Sequence, residues 1–148
     1  MSYTERIQTD LKQAMLKKEG DRVRTLRMLI AKLREKKIEL IRDLTETDEI
    51  AVLKKAAKER QDSIRTYRAA GREDLAAAEE TELALIETYL PAELSDAALT
   101  DIVKTAIAES GAASPADMGK VMGTAMKAVA GKADGRRVQA IVKKLLGA

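Results

Sequence analysis

The chain holds 148 residues, 34% charged and 45% hydrophobic, with a formal net charge of +3, a balance that fits one ordinary soluble domain or two small helical ones. It has no Cys and no His, which excludes disulfides, thiolate or imidazole metal ligands, thiolate nucleophiles and imidazole acid–base chemistry. With no Trp, no Phe and three Tyr, it has almost nothing on which bases could stack.

Ala, Leu, Glu, Lys and Arg dominate, and Val, Ile and Thr never alternate with polar residues as a strand requires. The expected class is all-α. A first helix starts near Ser2, where "SYTE" has the Ser-x-x-Glu form of a capping box, and runs to about Lys18 before Gly20. A second runs from Asp21, its expected cap, to Arg42, with Val23, Leu26, Leu29, Ile30, Leu33, Leu40 and Ile41 on one face. A third runs from about Thr47 to Ala70, closed by Gly71, with Ile50, Leu53, Ala57, Ile64 and Tyr67 inward. A fourth spans about Glu73 to Tyr89, with Leu75, Leu83, Ile86 and Leu90 apolar.

Pro91 in "LPAELSD" then breaks the pattern and marks the expected domain boundary. Three shorter helices follow: about Asp96–Ser110, capped by Ser95 or Asp96 and closed by Gly111; about Pro115–Ala130, capped by Ser114; and about Gly135–Leu146, capped by Asp134. The expected architecture is an N-terminal helical domain of about four helices, residues 1–90, followed by a small three-helix C-terminal domain, residues 91–148. There is no signal-peptide pattern and no apolar run long enough to span a bilayer, so no membrane partner and a cytoplasmic location are expected.

Charge is unevenly spread. From Met118 onward Lys120, Lys127, Lys132, Arg136, Arg137, Lys143 and Lys144 face a single acid, Asp134, a local +6 that leaves the preceding residues at −3. Such a segment suggests an anionic partner, and a solvated lysine-rich face is the plain alternative.

The stretch "GKVMGTAMKAVAGKADGRRV" carries four glycines in helical sequence. With Gly119 at 0° and about 100° per residue, Met118, Val121, Met122, Ala125, Met126 and Val129 fall between about 200° and 340°, an apolar face read as core. The three methionines are read as core filler, with a Met-lined peptide groove as the alternative. Gly123, Lys127 and Lys120 fall between about 40° and 100°, beside Gly119 and off the core. Two helical glycines cost about 1 kcal/mol each relative to Ala. Either another helix backbone approaches them closely, or a bare strip beside two lysines accepts a bulky anion such as a sugar-phosphate chain. Gly131 is expected in the left-handed conformation that ends the helix. Arg136 and Arg137 then sit in the first turn of the last helix, where arginine opposes the helix dipole unless an external phosphate is bound; both being simply solvated is the other reading. On that helix Val138, Ile141, Val142, Leu145 and Leu146 form the inner face, and Arg136 with Lys143 and Arg137 with Lys144 extend the basic surface.

"DMGKVMGTAMKAVAGKADGRRVQAIVKKLL", preceded by "YLPAEL", resembles the YqeY family over essentially the whole chain. The last 55 or so residues also resemble the tail domain of the B subunit of the tRNA-dependent amidotransferase (GatB), with Gly135 where that subunit commonly has a proline. The resemblance implies an N-terminal helical domain, a three-helix tail and a tRNA-recognition role for the tail. Carried over, it makes Gly119, Lys120, Gly123, Lys127, Gly131, Lys132, Arg136 and Arg137 an RNA-contact set, to which the basic ridges add Lys143 and Lys144. The amidotransferase's own chemistry is not recognisable: there is no P-loop, no amidase Ser-Ser-Lys signature and no convergence of carboxylates. No catalytic residue, metal or cofactor is assigned. Three functions compete: a non-catalytic accessory protein binding tRNA or other structured RNA; a module docking a partner helix on the Gly119/Gly123 face, within an amidotransferase or ribosome-associated complex; and a partner-dependent role in transamidation, a carbon–nitrogen ligase reaction with glutamine as amide donor.

Overall fold

The computed structural model of the chain describes residues 1–147. Among them are seven α-helices, one 3-10 turn and no strand, so the fold is all-α. The helices are α1 (Tyr3–Leu16), α2 (Gly20–Leu40), α3 (Glu46–Ala69), α4 (Glu73–Glu87), α5 (Asp96–Ser110), α6 (Met118–Val129) and α7 (Gly135–Leu145), with the 3-10 turn at Pro115–Asp117. The chain divides into two compact units, Met1–Leu90 and Pro91–Ala148.

In the N-terminal unit, α1 begins with the reciprocal bonds of a capping box. The Ser2 N–H donates to Glu5 Oε2 at 2.8 Å and the Glu5 N–H to Ser2 Oγ at 3.1 Å. Ile7 and Ala14 of α1 then meet Leu26, Leu29, Ile30 and Leu33 of α2, Leu53, Ala56 and Ala57 of α3, and Ile86 and Tyr89 at the end of α4. These positions recur every three or four residues, so one stripe of each helix is removed from water. Burying each Leu or Ile contributes about 1.5–3 kcal/mol, which is what holds four helices together. Farther along the α3–α4 hairpin, ion pairs take over: Arg60 meets Glu79 at 3.4 Å and Glu82 at 2.7 Å, and Arg68 meets Glu73 and Glu80.

Several boundaries differ from the sequence reading. α2 starts one residue before Asp21 and has Glu19 in the cap position with no side-chain bond, so Asp21 lies in its first turn. Ile41 was expected on the inner stripe. It adopts a left-handed φ of 53° at the end of α2, which swings its side chain into solvent, 90% exposed. α3 starts earlier than Thr47 because Thr45 and Asp48 form a second capping box. α4 stops at Glu87, and Tyr89 packs into the core from outside any helix.

The C-terminal unit is built from shorter pieces. Of the two caps the sequence offers, Ser95 serves: its Oγ accepts from the Ala98 N–H at 3.1 Å to start α5, and Gly111, at φ 69°, ends it where the sequence puts it. Pro115–Asp117 forms a 3-10 turn where the sequence reading had the first turn of an α-helix. Leu99, Val103 and Ala106 of α5, Val121, Ala125 and Val129 of α6, Ala133, and Val138 and Val142 of α7 make the core. Most of these are Ala or Val, so this core is small. Ile141 and Leu146 are half-buried against it, whereas Leu145, expected inside, is 36% exposed.

Candidate functional site

The interest of the C-terminal unit lies on the outer side of α6 and the start of α7. The buried arc of α6 is Val121, Ala125 and Val129, a strict four-residue repeat. Met118 and Met122 flank it half-buried, while Met126, expected inside, is 36% exposed because it sits at the margin of that arc. Opposite the arc, Gly119, Lys120, Gly123 and Lys127 are all exposed. A Cβ placed on Gly119 or Gly123 would meet no atom within 4 Å. The glycine pair therefore does not serve a close helix crossing inside this unit. It leaves an open strip of backbone between two lysines that share one azimuth, about 10 Å apart along the helix.

The two helices join through a tight reversal. Ala130 and Gly131 are both left-handed, at φ 47° and 78°, and the Lys132 N–H returns to the Val129 carbonyl at 2.9 Å. Gly131 at positive φ agrees with the sequence reading; a second left-handed residue, Ala130, carried no signal, since alanine does not favour it. Asp134 Oδ1 then accepts from the Arg136 N–H at 2.8 Å and starts α7. A Cβ on Gly135 would lie 3.8 Å from Met126 Cε, so the end of α6 that carries Lys127 lies beside the first turn of α7 that carries Arg136.

The two arginines of that turn part company. The Arg136 side chain is exposed and has no carboxylate partner among the described residues. Arg137 folds back. Its Nη2 donates to Asp96 Oδ1 at 2.8 Å and to the Leu94 carbonyl at 2.9 Å, and Nη1 lies 3.7 Å from Glu93. The hydrogen bond to Asp96, with the charge of Glu93 and Asp134, raises its affinity for its proton. With the Leu94 N–H donating to the Lys132 carbonyl at 2.9 Å, Arg137 pins the stretch after Pro91 onto α7. The acids that engage it were visible in "PAELSD"; that they fold back onto Arg137 was not. Lys120 is within electrostatic reach of Asp117, whose carboxyl is held below its usual range by the N–H groups of Ala113 and Ser114 first and by Lys120 after them. Lys127, Lys132, Lys143 and Lys144 are exposed with no ion pair among the described residues.

A model of the Yqey-like protein family matches residues 4–146. The chain belongs to that family. It is also 41% identical over 87 residues to "Altered inheritance of mitochondria protein 41, mitochondrial" of Vanderwaltozyma polyspora. The match takes in 57% of this chain and 46% of that protein, so the chain spans about half the length of the curated relative it matches.

In this Yqey-like chain two cavities lie outside the basic strip. The one of about 260 Å³ between α5 and α6 is lined by Asp101, Thr105 and Glu109 facing Thr124 and Ala128. It borders the basic strip without sharing its residues. The one of about 470 Å³ in the N-terminal unit is walled by Arg22 and Arg24, paired to Glu19 and Asp21 at 3.3 and 2.7 Å. No helix among the described residues is long and apolar enough to cross a membrane.

Proposed function

We propose that this protein is a non-catalytic accessory factor whose C-terminal unit grips the sugar-phosphate backbone of structured RNA, with tRNA the first candidate through the resemblance to the amidotransferase tail. One observation carries the reading: Lys127 and Arg136 are exposed, without carboxylate partners among the described residues, on adjoining turns beside an open glycine strip. Lys120, Lys143 and Lys144 extend the surface along both helices. The unit contains no aromatic residue, so recognition is by backbone and shape. The setting proposed is the cytoplasm; fractionation with an organelle instead moves the reading to an organellar RNA.

Lys127→Glu with Arg136→Glu is expected to lower tRNA affinity at least tenfold with unchanged circular dichroism. The wild-type affinity is expected to fall by roughly 0.7–0.9 log units per decade of salt for each phosphate neutralised. Equal binding by wild type and double variant removes the site.

The open strip at Gly119 and Gly123 also supports a second reading, in which a partner helix docks there. A complex that survives high salt and nuclease but is lost in Gly123→Leu favours it over RNA. A role in transamidation rests on the tail resemblance, and an unchanged tRNA-amidation rate when the protein is added removes it.

A further inference from the structure

The outer face of α2 carries a second feature that its own fold does not use. Arg24, Arg27, Ala31, Arg34, Ile38 and Ile41 follow one another at steps of three, four, three, four and three residues. That alternation is the spacing of a helix–helix seam, and it keeps the five residues within α2 on one side of the helix, while Ile41 is the left-handed residue that follows Leu40 and ends it. All six are exposed, with Ile38 at 76% and Ile41 at 90%. The inner face of the same helix, with Leu26, Leu29, Ile30 and Leu33, is already spent on the core.

Ile41 sharpens the point. Its left-handed φ favours glycine, and a β-branched side chain there is strained. Packing gives nothing back, because the side chain stands in solvent.

Charge decides what could cover the seam. Arg27 and Arg34 have no carboxylate partner among the described residues, whereas Arg24 is bound by Asp21 at 2.7 Å. A second copy laid antiparallel about Ala31 would set Arg27 against Arg34 in both halves, and a parallel copy would set each arginine against itself. Like charges oppose pairing in both of those arrangements, and two arginines without carboxylate partners call for carboxylates on the occupant.

We propose that this face of α2 docks an acidic amphipathic helix of another protein, with apolar side chains against Ala31, Ile38 and Ile41 and carboxylates against Arg27 and Arg34. The surface is separate from the α6–α7 strip, and the two stand or fall independently.

The probe is a fluorescein-labelled synthetic 21-residue helix with leucine along its seam, except for two glutamates set opposite Arg27 and Arg34, titrated with the full chain. Saturable binding is expected. It should weaken at least tenfold in Arg27→Glu/Arg34→Glu and in Ile38→Ser/Ile41→Gly, and stay unchanged in Lys127→Glu/Arg136→Glu. A peptide with lysine in place of both glutamates should bind at least tenfold more weakly. Ile41→Gly relieves the backbone strain, so the single variant should be at least as heat-stable as wild type while binding more weakly, which separates docking from folding. No binding of the glutamate peptide, or equal binding by wild type and the arginine variant, overturns the proposal. So does concentration-dependent dimerisation abolished by that variant, which makes a second copy the occupant. Flotation with phosphatidylglycerol vesicles lost in the same variant, without peptide binding, overturns it in favour of a membrane surface.

Discussion

Gly123 occupies the interior of α6 with helical neighbours on both sides, open space where a Cβ would project, and a lysine of the same azimuth on the next turn. Its cost to the helix is therefore not repaid by packing within the unit. Gly123→Ala is expected to stabilise the protein by about 0.5–1 kcal/mol, measured by urea denaturation, because alanine restricts the unfolded chain and nothing obstructs its methyl. If the bare backbone serves a ligand, the same variant loses affinity as it gains stability; a gain in both would leave the glycine without a role. The edge position of this glycine was legible in the sequence because angular bookkeeping needs only the helix period. The fate of the two arginines was not. Arg136 and Arg137 are equivalent as text, and what distinguishes them is a carboxylate 41 residues away, which no local pattern reports. Met126 was misplaced for a milder reason: a wheel gives an azimuth, but the width of the buried arc is set by how closely α5 and α7 approach.

Helix ends divide in the same way at the scale of elements. Ser2, Ser95 and Asp134 cap through bonds to N–H groups two or three residues on, so their chemistry is written locally and the sequence shows it. The start of α2 has no side-chain cap at all, and the nearby Asp21 was an attractive wrong choice. A further cap of the N-terminal unit is non-local. Glu49 of α3, only 4% exposed, accepts from both the Thr4 N–H and the Thr4 hydroxyl at 2.7 Å, tying the start of α1 to α3 across 45 positions. A charged residue inside an otherwise polar first turn reads as solvated, so this tie left no trace in the pattern. Glu49→Ala is expected to cost about 1–3 kcal/mol, since it strips two part-buried donors of their acceptor. Glu49→Gln, which keeps one acceptor oxygen, should cost less. Denaturation midpoints of the two variants check the order, and equal losses would mean that the side chain matters for packing alone.

Stability of the whole molecule should follow pH through a few identifiable groups. The Asp48 carboxyl is held well below its ordinary 3.8 by Arg42 first and by the Thr45 N–H next, and Asp117 is lowered by the Ala113 and Ser114 N–H groups. Both are more acidic folded than unfolded, so each stabilises above about pH 4 and loses that contribution as pH falls through its folded value. Tyr89 runs the other way: burial first, and its bond to Asp10 next, push its hydroxyl up from 10.0 to about 12. Its contribution is full below pH 10 and is lost as pH rises towards 12. Thermal midpoints should therefore form a plateau between those limits, with the alkaline fall flattened in Tyr89→Phe. Near neutral pH the two units differ chiefly in their cores, one rich in Leu and Ile and the other mostly Ala and Val. The weaker core belongs to the unit that carries the proposed RNA surface, and ligand binding to a marginal unit is easily seen as added stability. At a free tRNA concentration of 100 times Kd the linkage amounts to about 2.7 kcal/mol. The helical signal assigned to residues 91–148 should then melt several degrees higher with tRNA present, at low salt and not at high salt, while the N-terminal signal stays put. Lys127→Glu/Arg136→Glu should abolish the shift with little net change in the ligand-free midpoint, because neither side chain has an internal ion pair among the described residues and glutamate gains at the start of α7 about what it loses at the end of α6. A shift that persists in the double variant would place the anionic partner elsewhere on the chain.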